Sequence, residues 1–205
     1  MFSDRTAASA RLADALEDRG IEADVVLAIP RGGLPLGRVV ADRLGAPLDV
    51  VVASKLSAPN NPEYAIGAVA EDGSVWLNDE ALDRIGVADD YLATKREHER
   101  AVAADKAATY REGDRPDFGG ERVVVVDDGV ATGATMRACL RLVRADDPEY
   151  LVAAVPVGPP DALDTLEGYA EEVVAVEEPG NFRAVGAHYR TFDQVSDEEA
   201  MRYLA

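Results

Sequence analysis

The run Val123-Val124-Val125-Val126 constrains this chain more than any other feature. Four β-branched apolar residues in a row suit a strand buried on both faces, the usual state in a parallel sheet. Asp127 and Asp128 follow at once, then the small-residue loop Gly129-Val130-Ala131-Thr132-Gly133-Ala134-Thr135. A helical pattern begins near Ala134, with Leu140, Val143 and Arg144 at later turns. The order is therefore buried strand, two carboxylates, flexible turn, two hydroxyls, helix start. Free backbone N–H groups and the dipole at a helix start hold an anion. Gly129 and Gly133 let the backbone approach it, and Thr132 and Thr135 add hydroxyl donors. The carboxylates would repel a phosphate, so they face sugar hydroxyls, a metal, or both. That combination fits a phosphosugar. It is not the nucleotide P-loop, because GxxxxGK[ST] is absent.

The flanking chain supports an α/β fold with a mainly parallel sheet. Residues 5–19 carry Leu12, Ala15, Leu16 and Arg19 at helical spacing, and Gly20 stops the pattern. Residues 24–29 read as a buried strand ending in Pro30-Arg31-Gly32-Gly33, followed by a helix over about 34–44 and a second apolar strand over 49–53. The Pro-Arg-Gly-Gly turn sits where a parallel strand meets a helix, which is where such sheets bind ligands. Its glycines expose N–H groups and Arg31 adds a cation suited to phosphate oxygens. Taken alone, the same residues also make a plain tight turn.

Further along, residues 54–66 are rich in Pro and Asn and read as a long exposed loop, with Lys55 at its start and Glu63 and Tyr64 within it. Short strands at 66–70 and 75–77 flank an Asp72-Gly73 turn, a hairpin signal. Trp76 reads as core. Helices follow over roughly 79–85 and 88–112. The second is strongly charged, with a thin stripe of Leu92, Val102 and Tyr110. It reads as a solvated arm, a lid or a contact to a second copy in a homodimer, and His98 on it as a surface or packed side chain. A strand over 150–155 ending at Pro156, a helix over 161–169 and a strand over 172–176 complete the α/β pattern. The tail, 177–193, carries Phe182, Tyr189 and Phe192 among Gly180 and Gly186, as a folded-back segment would. Ser196 and Glu199 match a capping box for a final helix.

Composition removes several function classes. The chain has 205 residues, 39 acidic against 21 basic, for a net charge of −18. Only three of the basic residues are Lys: Lys55, Lys95 and Lys106. Acid excess with scarce Lys fits a protein of a salt-loving cytoplasm, where a Debye length of about 3 Å at molar salt screens self-repulsion. No basic patch is available to neutralise nucleic-acid phosphates. The single Cys139 allows no intramolecular disulfide and reads as a small core residue. No apolar run approaches the ~20 residues that span a membrane, and the N-terminal stretch is charged where a signal peptide is apolar. The expectation is one soluble, cytoplasmic domain over 1–205, with a helical insertion at about 79–112 and a folded-back segment at about 177–205.

The stretch VVVVDDGVATGATM resembles the phosphoribosyl-pyrophosphate (PRPP) motif of type I phosphoribosyltransferases: an apolar strand, two acids, then a loop ending T-G-x-T. AIPRGGLPLG is similar to the pyrophosphate-loop turn of xanthine-guanine members. The layout resembles a poorly characterised subgroup of that family, of halophilic archaeal type by composition. The resemblance implies a type I phosphoribosyltransferase fold with a C-terminal hood and a non-proline cis peptide between Pro30 and Arg31. It also implies transfer of the 5-phosphoribosyl group from PRPP to a nitrogenous acceptor, with Mg²⁺ (magnesium) and release of pyrophosphate.

By the same resemblance, PRPP is bound by Arg31, Gly32, Gly33, Asp127, Asp128 and residues Gly129, Val130, Ala131, Thr132, Gly133, Ala134 and Thr135. Asp127 and Asp128 are the expected metal ligands. Lys55, Arg31, Asp127 and Asp128 are the expected catalytic residues. Phe182, Val185 and Tyr189 are the expected acceptor residues. One departure stands out: hypoxanthine-guanine members carry an Asp where this chain has Ala131, whereas adenine and uracil members tolerate Ala. The competing reading is a regulator that keeps this fold and senses PRPP without transferring it. A Rossmann-type dinucleotide site lacks its GxGxxG.

Overall fold

The computed structural model describes the 205 residues apart from Pro62 and Glu63. Glu63, noted above within the 54–66 stretch, thus lies outside the described residues. In chain order the elements are α1 Arg5–Asp18, β1 Val25–Ala28, α2 Gly33–Leu44, β2 Leu48–Val50, β3 Ala53–Ala58, β4 Asn61–Ala70 and β5 Val75–Leu77. They continue with α3 Asp79–Ile85, α4 Asp89–Tyr110, β6 Arg122–Val126, α5 Ala134–Arg144, β7 Tyr150–Val157, α6 Pro160–Leu166, β8 Glu172–Glu177 and α7 Asp197–Arg202.

Five strands form a parallel sheet in the order β2-β1-β6-β7-β8. The valine run is its middle strand. Val123 and Val125 enter the core on one face with α5 and α6, while Val124 and Val126 enter the core on the other with α1 and α2. Both faces are covered, so the run has no polar alternation to show, and burial of each valine contributes on the order of 1.5 kcal/mol. β1 pairs with β6 as far as Ala28↔Val126. β1 has β2, its successor through α2, on one side and β6 on the other, so the order reverses between β1 and β6. The loops after these two strands leave the same sheet edge side by side, the place where open parallel sheets bind ligands.

Three expectations are corrected. The stretch 54–66 is not an open loop: β3 and β4 form an antiparallel hairpin, extended by β5 through the anticipated Asp72-Gly73 turn. Leu56, Ala58, Ala65 and Ile66 are buried, so the apolar residues outweigh the Pro and Asn between them. Asn60 provides the positive-φ turn position, which Asn tolerates. Helix α4 is packed rather than solvated. Its buried face is Glu99, Ala103, Ala107 and Tyr110, while Val102 is 39% exposed. Small alanines let α4 lie close to Ala28, Val50 and Val52, and no large apolar stripe is needed. β7 runs through Pro156 to Val157. Pro156 lies past the last β6 pair, Val126↔Ala154, where its missing N–H costs no ladder bond.

The C-terminal segment folds back across the start of α1. Phe2 N–H donates to His188 O and Arg190 N–H to Phe2 O, and the Phe2 and Tyr189 rings meet at 5.4 Å. The Ser196–Glu199 capping box is present at α7. Trp76 and Cys139 are buried, and His98 is on the surface. No helix among the described residues is long and apolar enough to cross a membrane.

Candidate functional site

After β6 the chain turns through Asp127 and Asp128 into the loop that starts α5. Gly133 caps the helix at φ 73°, with no side-chain capping bond. The N–H groups of Ala131, Thr132 and Gly133 donate to nothing among the described residues. Val130 differs: its N–H donates to Val157 O at 3.0 Å, and its side chain is buried. Val130 therefore anchors the loop and is not a free donor. Thr132 Oγ1 accepts from Ala134 N at 3.4 Å, and Thr135 faces the space in front of the loop.

The loop after β1 closes on this one. Ile29 N–H donates to Val126 O at 2.9 Å. A Cβ on Gly32 would overlap the Asp128 carboxylate, and one on Gly33 would sit 2.6 Å from Val126 O. Glycine at both positions is what lets the two loops touch. The Pro30–Arg31 peptide is cis. Lys106, from α4, donates to Pro30 O at 2.6 Å. Arg31 lies 3.5 Å from Asp197 at the start of α7.

The two carboxylates have different partners. Asp127 Oδ1 accepts the Asp128 N–H at 2.8 Å. Burial, with Asp128 alongside, pushes the Asp127 carboxyl well above the usual range. Asp128 Oδ2 accepts from Arg5 Nε at 2.9 Å and Nη2 at 2.8 Å. Burial still raises the Asp128 carboxyl, and the Arg5 ion pair only partly opposes it. Burial pulls the Lys106 ammonium down against the pull of Asp127. An anionic, cation-coordinating ligand would relieve both strains.

Two adjoining cavities open here, of about 620 Å³ and about 270 Å³. Both are lined by Lys55, Asp127, Thr135 and Val185. The smaller holds the loop from Gly129 to Thr135. The larger adds Arg31, Gly32, Asp128 and three residues outside the expected site set: Arg5, Lys106 and Phe192. The cations Arg5, Arg31, Lys55 and Lys106 thus surround two carboxylates in a chain of strongly negative charge.

Gly33, Phe182 and Tyr189 do not line either cavity. Phe182 stacks on His188 at 5.1 Å. Tyr189 is 5% exposed, packs on Phe2 and Phe192, and donates its hydroxyl to Asp128 O at 2.6 Å. The tail aromatic at the cavity is instead Phe192, with the Arg5 guanidinium 3.9 Å from its ring centre. Lys106 had one signal in the sequence, as one of only three lysines. Arg5 had none, since an arginine opening a surface helix is ordinary.

No group of three or more metal-ligating side chains occurs among the described residues. Two adjacent carboxylates beside the 129–135 loop nevertheless suit Mg²⁺, which takes one or two carboxylates and completes its shell with other oxygens and water.

The phosphoribosyl transferase domain model matches residues 4–189 of this chain. A protein of Mycobacterium tuberculosis strain H37Rv, provisionally named phosphoribosyl transferase Rv0571c, is 41% identical over 205 residues. That match covers 100% of this chain and 46% of the relative, so the chain spans about half the length of the curated relatives it matches. The crystal structure of TT1426 from Thermus thermophilus is 46% identical, with a TM-score of 0.82, over 100% of this chain and 97% of that one. The structure of AQ2163 from Aquifex aeolicus, 15% identical, reaches a TM-score of 0.50 over 82% of this chain and 70% of that one, a likeness of fold alone.

Proposed function

From the premise that the chain belongs to the phosphoribosyl transferase domain family, we propose that it transfers the 5-phosphoribosyl group of PRPP to a nitrogen of a small heterocyclic acceptor, releasing pyrophosphate. The observation that carries this reading is the pair of adjoining cavities. One presents glycines, hydroxyls and a helix start; the other presents cations; Asp127 and Lys55 lie on both. PRPP has the same layout, with a phosphate at one end, a diphosphate at the other and a diol between them.

In this reading the 129–135 loop holds the 5′-phosphate through N–H groups, Thr132 and Thr135. Asp127 and Asp128 accept hydrogen bonds from the ribose hydroxyls and shield positive charge on the ring. Arg31, Lys106 and Lys55 meet the diphosphate. As the C1–O bond to pyrophosphate breaks and the C1–N bond forms, negative charge grows on the leaving oxygens, where these cations act. Asp127 and Asp128 would hold Mg²⁺, which would supply further charge neutralisation when bound. Val185 and Phe192, both on the lining of the larger cavity, are assigned to the acceptor, and the Tyr189 hydroxyl holds the Asp128 carbonyl.

The test is a panel of purine, pyrimidine and related bases with PRPP and Mg²⁺ in molar KCl, the medium the acidic composition favours. Base-dependent pyrophosphate release, with a matching nucleoside 5′-monophosphate, is expected. Tight PRPP binding with no release for any base would favour the sensor reading.

A further inference from the structure

Arg137, on the second turn of α5, is the one buried basic residue among the described residues, at 8% exposure. The other well-shielded arginines each have a carboxylate: Arg5 has Asp128, Arg111 has Asp49 and Glu71, and Arg115 has Asp146. Arg137 forms no ion pair among the described residues. Its Nη2 donates to the neutral Thr165 hydroxyl, and its Nε has no partner. One face of the guanidinium lies on Trp76, with Cζ 4.5 Å from the ring centre. The guanidinium also approaches Gly133: a Cβ built there would be 3.3 Å from Nη2 and 3.5 Å from Cζ and Nε. Gly133 belongs to the lining of the smaller cavity. An unneutralised charge therefore sits against a backbone position of the 129–135 loop.

A guanidinium does not shed its proton to escape burial. Burying a charge without a counter-ion is costly, and a hydroxyl and a ring face do not replace one. With 39 acids in the chain, an acidic partner for Arg137 would be easy to provide, and none is present. The anion it lacks is one that arrives with the ligand. We propose that Arg137 is a positioning residue whose buried charge acts through the Gly133 backbone to favour the dianionic 5′-phosphate, an inference that rests on the functional reading above. The charge adds to the positive end of the α5 dipole. Being buried, it is screened little by salt, unlike half-exposed Arg31.

Ribose 5-phosphate is titrated calorimetrically into the wild-type chain and into Arg137→Lys, Arg137→Gln and Arg137→Met. The pKa of the bound phosphate is read by ³¹P NMR. A phosphate monoester has its second pKa at about 6 when free. The neutral variants should bind on the order of tenfold more weakly, with the bound phosphate's pKa raised relative to wild type. Arg137→Lys should recover most of both effects, which a purely structural stacking role on Trp76 would not predict. Wild-type affinity in the neutral variants, an unchanged bound pKa, or a Lys variant no better than Met would each overturn the proposal. Unfolding of both neutral variants beside a folded Lys variant would assign the charge to the fold and also overturn it. A wild-type chain that binds neither ribose 5-phosphate nor PRPP would instead overturn the functional reading, before any substitution is compared.

Discussion

Lys106→Met removes a cation from the cavity assigned to the diphosphate in the proposed function. Lys106 Nζ donates to Pro30 O at 2.6 Å and lines the larger cavity with Arg31 and Lys55. A charge pair at contact distance is worth up to ~4 kcal/mol at an effective dielectric of 20. Two neighbouring cations share the ligand, so the net loss should resemble one hydrogen bond to a charged group, about 2 kcal/mol, or ~30-fold in affinity. Apo stability should change little, because the orphaned Pro30 carbonyl is offset by relief of a buried charge. Burial lowers the Lys106 pKa in the folded chain, so the unfolded chain binds more protons between that lowered value and the ordinary lysine value. Lys106 therefore makes apo stability rise with pH across that window, and the Met variant should lose this rise. Calorimetric titration with magnesium pyrophosphate, beside thermal melts across pH, reads both effects. Unchanged pyrophosphate affinity in a folded Met variant would refute the assignment.

Other substitutions separate the remaining roles. Lys55→Ala should cut kcat by roughly 10²-fold while PRPP affinity falls less, because charge on the leaving group appears mainly in the transition state; equal turnover in steady-state assays would make Lys55 a surface residue. Thr132→Val or Thr135→Val should each weaken PRPP binding by on the order of 1–3 kcal/mol by calorimetry. Asp127 has a raised carboxyl pKa when folded, so the folded chain binds more protons above the ordinary Asp value and apo stability falls as pH rises through that window. Asp127→Asn should flatten that decline and raise the apo melting temperature toward the alkaline end of that window, while abolishing PRPP binding. Gly32→Ala places a Cβ in the Asp128 carboxylate and should lose PRPP binding in a chain whose circular dichroism is unchanged.

What could be read from the sequence was local. The valine run, the two acids and the Thr-Gly-Ala-Thr loop are contiguous, so strand, ligand loop and helix start are specified within one short stretch. Pro30-Arg31-Gly32-Gly33 was legible for the same reason, but its glycines gain a second meaning only from the approach of Asp128. Arg5 and Lys106 reach the site through the packing of α1 and α4, which no local spacing records. The face of α4 was hidden because it is made of Ala103 and Ala107, and alanine suits buried and exposed helix positions alike. The β3–β4 hairpin was masked by its turn residues, whose polarity outweighed the buried Leu56 and Ile66 in a linear reading. Among the tail aromatics, only the fold-back of the segment onto Phe2 decides that Phe192 faces the cavity while Tyr189 faces the core.

A crystal structure of the chain with ribose 5-phosphate and Mg²⁺ tests the central claim most directly. The account predicts the phosphate against the N–H groups and hydroxyls of the 129–135 loop, the ribose hydroxyls on Asp127 and Asp128, and C1 directed toward the cavity that holds Arg31 and Lys106. A phosphate seated instead on the Pro30–Gly33 loop, or sugar hydroxyls that leave both carboxylates untouched, would contradict it.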